Sequence, residues 1–141
     1  MAISMEMQAL EVSKSCIVAR LRKLNREVSA IYEDCFRPFG LTVAQFNLLI
    51  SIGAHGEASP SRLAKVLSLE KSTVSRNIEK MHAHKWVEVI PQGDKRVHTL
   101  ALSDIGEKLV EEVLPAWRIA QQKTEKTYGP LTELLNKVTF V

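Results

Sequence analysis

Glu70-Lys71-Ser72-Thr73-Val74-Ser75-Arg76-Asn77-Ile78-Glu79-Lys80-Met81, or EKSTVSRNIEKM, is the stretch whose reading decides the fold. With helical spacing of about 100° per residue and Val74 set at zero, Ile78 falls near about 40° and Met81 near about 340°, so one buried direction is defined. Ser72, Thr73, Arg76, Glu79 and Lys80 lie opposite it. Taken alone, this is equally well an ordinary amphipathic helix with solvated charges.

The flanking sequence gives the exposed face a use. Upstream, Ser59-Pro60 places a cap residue before a proline at the first helical position, and Leu63, Ala64, Val66 and Leu67 form the apolar side of a short helix ending near Ser68. Three residues, Ser68, Leu69 and Glu70, then separate two short helices, which is the spacing of a helix-turn-helix. Short hydroxyls approach phosphates and base edges closely, and arginine can bond two acceptors on a guanine edge. Downstream, Trp86–Ile90 and Val97–Leu102 read as strands around the turn Pro91-Gln92-Gly93-Asp94-Lys95-Arg96. A hairpin with a basic tip directly after a helix-turn-helix reads as the wing of a winged helix, able to reach a minor groove. Residues 59–99 hold eight Lys and Arg against four Asp and Glu, an excess of four positive charges where the whole chain has three. Asp94 beside Arg96 reads as an orienting salt-bridge partner, since no second carboxylate or nucleophile accompanies it.

Outside this unit the chain is helical. Ile17, Leu21, Leu24, Val28, Ile31 and Cys35 recur at spacings of 4, 3, 4, 3 and 4 on one narrow stripe. Pro38 and Gly40 should end that helix. Thr42 and Gln45 make a Thr-x-x-Gln capping box with Leu41 and Phe46 at the staple positions, so a further helix starts at Val43 and breaks at His55-Gly56. Ser103 caps a long helix carrying Leu109, Val110, Val113, Trp117 and Ala120, which Pro115 should kink. Beyond Gly129-Pro130, Leu131, Leu134, Leu135 and Val138 suggest a short amphipathic helix. The expected fold is mainly α (α+β): a single domain over 1–141, with a winged helix-turn-helix at 41–103, its wing at 86–102, and flanking N- and C-terminal dimerisation helices at 8–40 and 104–141. Both flanks present apolar stripes the winged helix is too small to cover, which predicts a homodimer. Two reading helices about one turn of DNA apart would suit a pseudo-palindromic operator.

Composition narrows the alternatives. At 141 residues and 45% apolar content the chain can bury a real core. Its longest uncharged apolar run, around Phe46–Ala54, is too short to cross a bilayer, and no basic region precedes a long apolar stretch at the N-terminus. A cytoplasmic protein is expected, without membrane partner. Cys16 and Cys35 form no disulfide framework. Nineteen residues apart on one predicted helix, they stand about 28 Å from each other and cannot pair within a chain. Cys35, on the stripe, reads as a small buried hydrophobe, and Cys16, off it, is the redox candidate. His82 and His84 stand two apart on a helix and face different directions, with His55 and His98 scattered, so no metal site is expected. No phosphate loop and no nucleophile with a positioned base appear, so neither enzymatic activity nor a cofactor is expected. Arg20, with Arg22 and Arg26, could meet an anionic effector, and Trp117 could line a ligand pocket.

In Ser61-Arg62-Leu63-Ala64, Lys71-Ser72-Thr73-Val74-Ser75-Arg76, Asp94-Lys95-Arg96 and Leu102-Ser103-Asp104-Ile105-Gly106 the chain resembles the MarR (multiple antibiotic resistance regulator) family of winged-helix transcription factors. The resemblance covers nearly the whole chain and implies that Lys71, Ser72, Thr73, Ser75, Arg76 and Lys80 serve DNA, with Arg96 in the minor groove, Lys95 beside it and Asp94 steadying the arginine. It also implies a dimer, usually a repressor of transcription, often released from DNA by a small aromatic or phenolic effector. Where relatives often carry serine or aspartate before the reading helix, this chain has Glu70, a weak cap. A weaker similarity to organic-hydroperoxide sensors, at Arg26-Glu27 and Gln45-Phe46, puts Val18 where the sensing cysteine belongs, two residues from Cys16. A winged helix serving as a protein-interaction module or effectorless scaffold is the alternative of a different class.

Overall fold

Thr42 accepts a hydrogen bond from Gln45 N (3.2 Å) while Gln45 Oε1 accepts from Thr42 N (3.1 Å), so the capping box forms as the sequence predicts. It opens α3 (Val43–His55), whose Phe46, Leu48, Leu49 and Ile52 fill the centre of the protein. The structure, a computed structural model, describes residues 2–94 and 96–139. Before α3 come α1 (Met5–Ser15), α2 (Ile17–Phe36) and a single 3-10 turn, Arg37–Phe39, closed by Gly40 at φ 63. After it come α4 (Pro60–Val66), α5 (Lys71–Ala83), β1 (Val87–Pro91), β2 (His98–Leu102), α6 (Asp104–Tyr128) and α7 (Leu131–Leu134). The strands pair antiparallel, with Val87 opposite Leu102 and Pro91 opposite His98.

The core joins every element of the reading unit. Val74 and Met81 of α5, Leu63 of α4, Trp86 and Val87 at the base of the hairpin, Leu100 of β2 and Val113 of α6 are buried in one cluster with α3 and Phe36. Phe36 and Phe46 pack ring to ring at 4.6 Å. The half-buried carboxylate of Glu33 on α2 accepts from Val43 N at 3.0 Å, satisfying one of the open donors at the start of α3 and tying the helical base to the reading unit. On the other side α2 packs along α6, where the Tyr32 hydroxyl donates to Gln121 and Tyr128 donates to Glu27 at 2.7 Å. Burial pushes the pKa of Tyr32 up, and the bond to Glu27 pushes that of Tyr128 up.

Three expectations need correction. Cys16 and Cys35 do not share one helix: the chain turns extended at Cys16 (ψ 114), which ends α1 and begins α2. Ser13 and Ser15 donate their hydroxyls back to Leu10 O and Glu11 O, at 2.9 and 2.7 Å, and Arg20 donates to Lys14 O, so side chains serve the carbonyls of the last turn. The final helix is shorter than its apolar pattern suggested, stopping at Leu134, and it buries nothing within the protomer. Thr73, expected on the outer face, is half-buried. α6 continues as one helix on both sides of Pro115.

Among the described residues no single helix is long and apolar enough to cross a membrane, and Cys16 and Cys35 are free thiols. Cys35 is half-buried against the core.

Candidate nucleic-acid interface

The reading helix is held by its apolar side only. α4 begins at Ser59, which accepts from Arg62 N at 3.2 Å, and the turn to α5 passes through Ser68 at φ 51, a left-handed conformation that costs a non-glycine residue about 1 kcal/mol. Glu70 occupies the cap position of α5 and makes no side-chain cap bond, as its length and charge suggest. The amides of the first turn of α5 therefore lack a side-chain partner at their cap, and the positive end of the helix dipole meets whatever binds there.

Lys71, Ser72, Ser75, Arg76 and Lys80 are exposed on α5. Arg76 makes only a long contact, 3.5 Å, to Thr73 Oγ1, and Asn77 donates to Thr73 O at 2.9 Å. No ion pair among the described residues engages Lys71, Arg76 or Lys80. A guanidinium with this little to hold is free to meet an external acceptor.

At the wing tip Asp94 works mainly through the backbone. Its Oδ1 accepts from Arg96 N at 3.0 Å, while the Arg96 side chain stands 3.9 Å away and is 93% exposed. Val97 N donates to Asp94 O at 2.9 Å, closing the turn. The carboxylate thus fixes the turn that presents Arg96, and it neutralises the arginine little. Lys95 lies outside the described residues.

The base of the wing is locked to α6. Ser103 caps α6 by accepting from Gly106 N at 3.0 Å, donates its hydroxyl to Lys85 O, and sends its own N–H to Trp86 O at 3.1 Å. Gly106 lies so close to that segment that a Cβ there would stand 2.0 Å from Trp86 O. Nothing in the sequence around Gly106 signals this close approach. The sequence pattern also leaves unmarked Glu57, Ala58 and Thr99, which join the loop before α4 to β2: Ala58 and Leu100 exchange backbone hydrogen bonds at 3.0 and 2.9 Å, and Thr99 donates to Glu57 at 2.9 Å. Only alternation inside the hairpin was visible in the sequence.

The two residues named as ligand candidates lie apart from the depressions around α3. Arg20 is bound to the α1–α2 junction, and Trp117 is half-buried against the core. Two depressions flank α3 and share Ile50 and Ala54. One, of about 150 Å³, is lined by Asn47, Ser51, His55 and Leu67; the other, of about 450 Å³, lies against α6 with Val110 and Leu114 on its floor and Glu107 and Glu111 at its edge. No group of three or more His, Cys, Asp or Glu among the described residues could hold a metal ion.

A short helix pair with an uncovered cationic outer face, followed by a two-stranded hairpin with an arginine at its tip, defines a winged helix-turn-helix protein of the DNA-binding class. Residues 39–96 match the MarR family. Over its helix-turn-helix and most of its wing the chain is thus similar to the winged helix-turn-helix transcriptional regulators of that family. It is 29% identical over 112 residues to the HTH-type transcriptional repressor NicR of Pseudomonas putida, covering 79% of this chain and 69% of NicR. The structure of BpsR from Bordetella bronchiseptica, whose DNA binding is regulated by 6-hydroxynicotinic acid, superposes with a TM-score of 0.76 at 28% identity, covering 86% of this chain and 91% of BpsR. The M. tuberculosis regulator MOSR in complex with DNA gives 0.77 at 27% identity, covering 88% and 91%.

Proposed function

We propose that the chain is a sequence-specific regulator that binds a pseudo-palindromic operator as a homodimer and acts as a repressor in the cytoplasm. The observation that carries this reading is the unengaged cationic face of α5, Lys71, Arg76 and Lys80 beside Ser72 and Ser75, together with the exposed Arg96 of the wing. Such groups supply phosphate affinity through the lysines and base selection through the arginine. Dimerisation is supported by the terminal helices, where Met5, Ile17 and Leu134 are each more than 70% exposed and α1 buries no residue. Apolar stripes of this extent are stable when a second copy covers them.

For release from DNA, the depression between α3 and α6 is the site we propose, because it lies where the helical base meets the reading unit and its volume suits a small organic molecule. A phenolic or other hydroxylated aromatic molecule could lay its ring on Val110 and Leu114 and donate its hydroxyl to Glu107 or Glu111; BpsR is likewise regulated by a hydroxylated aromatic, 6-hydroxynicotinic acid.

Selection of duplexes from a random pool by the purified protein tests the reading. A pseudo-palindrome with half-sites about 10 base pairs apart is expected, bound by a dimer and released by phenolic or other hydroxylated aromatic molecules. A pool that yields no enriched sequence would favour the interaction-module alternative.

A further inference from the structure

Beyond its own strand pairing, the wing carries a polar tether. Thr99 on β2 donates its hydroxyl to Glu57 Oε2 at 2.9 Å and accepts from Gln92 Nε2 at 3.0 Å. Glu57 belongs to the loop joining α3 to α4, 42 residues away in sequence, and Gln92 begins the wing turn, its N–H donating to Val97 O at 3.1 Å. One residue further along, Ala58 and Leu100 close a backbone bridge between the same loop and strand. The hairpin is therefore pinned to the helix-turn-helix by main chain at the middle of β2 and, one residue nearer the tip, by the Gln92–Thr99–Glu57 relay.

A two-stranded ribbon is barely stable by itself and can twist and swing about its base. Arg96 stands at its far end, 93% exposed and tied only to Asp94. Small rotations at the base move that guanidinium by several times as much at the tip, so a bond on the outer half of the ribbon governs where Arg96 stands. We infer that Thr99 is a positioning residue for DNA binding: through Glu57 it sets the angle of the wing against the reading helix and so the place of Arg96. This rests on the reading of Arg96 as a DNA contact given above. Thr99 suits the relay because a hydroxyl gives and accepts a hydrogen bond at once. Valine keeps its shape and strand preference and can do neither.

The test is a double-mutant cycle on the affinity for the duplex selected by the wild-type protein, using Thr99→Val, Thr99→Ser, Arg96→Ala and Thr99→Val/Arg96→Ala. Thr99→Val is expected to weaken binding about two- to tenfold, the range for one hydrogen bond, with Thr99→Ser close to wild type. In the Arg96→Ala background Thr99→Val should cost nothing further, because the group it positions is gone. A purely structural role would carry its full loss into that background, and this result would overturn the inference, as would wild-type affinity in Thr99→Val. If Arg96→Ala itself binds like wild type, the wing reading fails and takes the inference with it. Should Thr99→Val not fold, Glu57→Ala compared with Glu57→Gln, which loses the same charge and keeps an acceptor, enters the same cycle with the same expectations.

Discussion

Gly106→Ala should destabilise the protein by about 3 kcal/mol, at the upper end of what overpacking costs, with the thermal midpoint falling by about 10 °C. The new Cβ would lie 2.0 Å from Trp86 O and 2.9 Å from Trp86 C, and both are backbone atoms that no rotamer change can move aside. Relief requires α6 to move off the segment that opens β1. That would stretch the bonds from Ser103 N to Trp86 O and from Ser103 Oγ to Lys85 O. Denaturant unfolding of the variant beside wild type checks this. Ser103→Ala, which removes the cap of α6 and leaves the close approach intact, should cost about 1 kcal/mol. Equal stabilities for Gly106→Ala and wild type would mean that α6 and the wing base are not locked as described.

Arg76→Ala should lower affinity for the selected duplex by about 1 to 3 kcal/mol and broaden the sequences accepted, while leaving thermal stability unchanged. Both halves follow from its surroundings. The guanidinium is exposed and holds only a 3.5 Å contact to Thr73, so the folded protein loses little with it. Lys80→Ala should behave differently, weakening all sequences alike and reducing the salt dependence by about one unit per lost phosphate contact. Binding curves on selected and scrambled duplexes separate the two outcomes. An Arg76→Ala protein that loses affinity equally on both would assign Arg76 to the backbone instead.

What could be read from the sequence was what local chemistry decides. The capping box at Thr42 and Gln45, the cap-proline pair at Ser59-Pro60, and the stripe Val74, Ile78 and Met81 each involve residues within one or two turns, and each forms as read. The basic tip was readable for the same reason, since Asp94 and Arg96 are two residues apart. The contacts that place the reading parts against one another are long-range: Glu33 to Val43, Glu57 to Thr99, and Gly106 to Trp86. A polar residue destined for a distant partner looks, in sequence, like any solvated one. The break at Cys16 escaped because no proline or glycine marks it, and the serine back-bonds that accompany it are weak signals in an otherwise regular helical pattern. The apolar stripe of 131–138 was real, but a stripe becomes a long helix only when something covers it, and among the described residues Leu134 and Val138 stay exposed.

These contacts also join the helical base to the reading unit at two places. Glu33 joins α2 to the start of α3, and Ser103 with Gly106 joins α6 to the base of the wing.

Whether this face holds DNA is decided by the salt dependence of binding to the selected duplex. A dimer that neutralises five or more phosphates should show a slope of log affinity against log salt of about −4 or steeper, reduced in Lys80→Ala. A slope near zero, unchanged in that variant, would contradict the account, because a cationic helix and wing cannot bind a duplex without releasing its counterions.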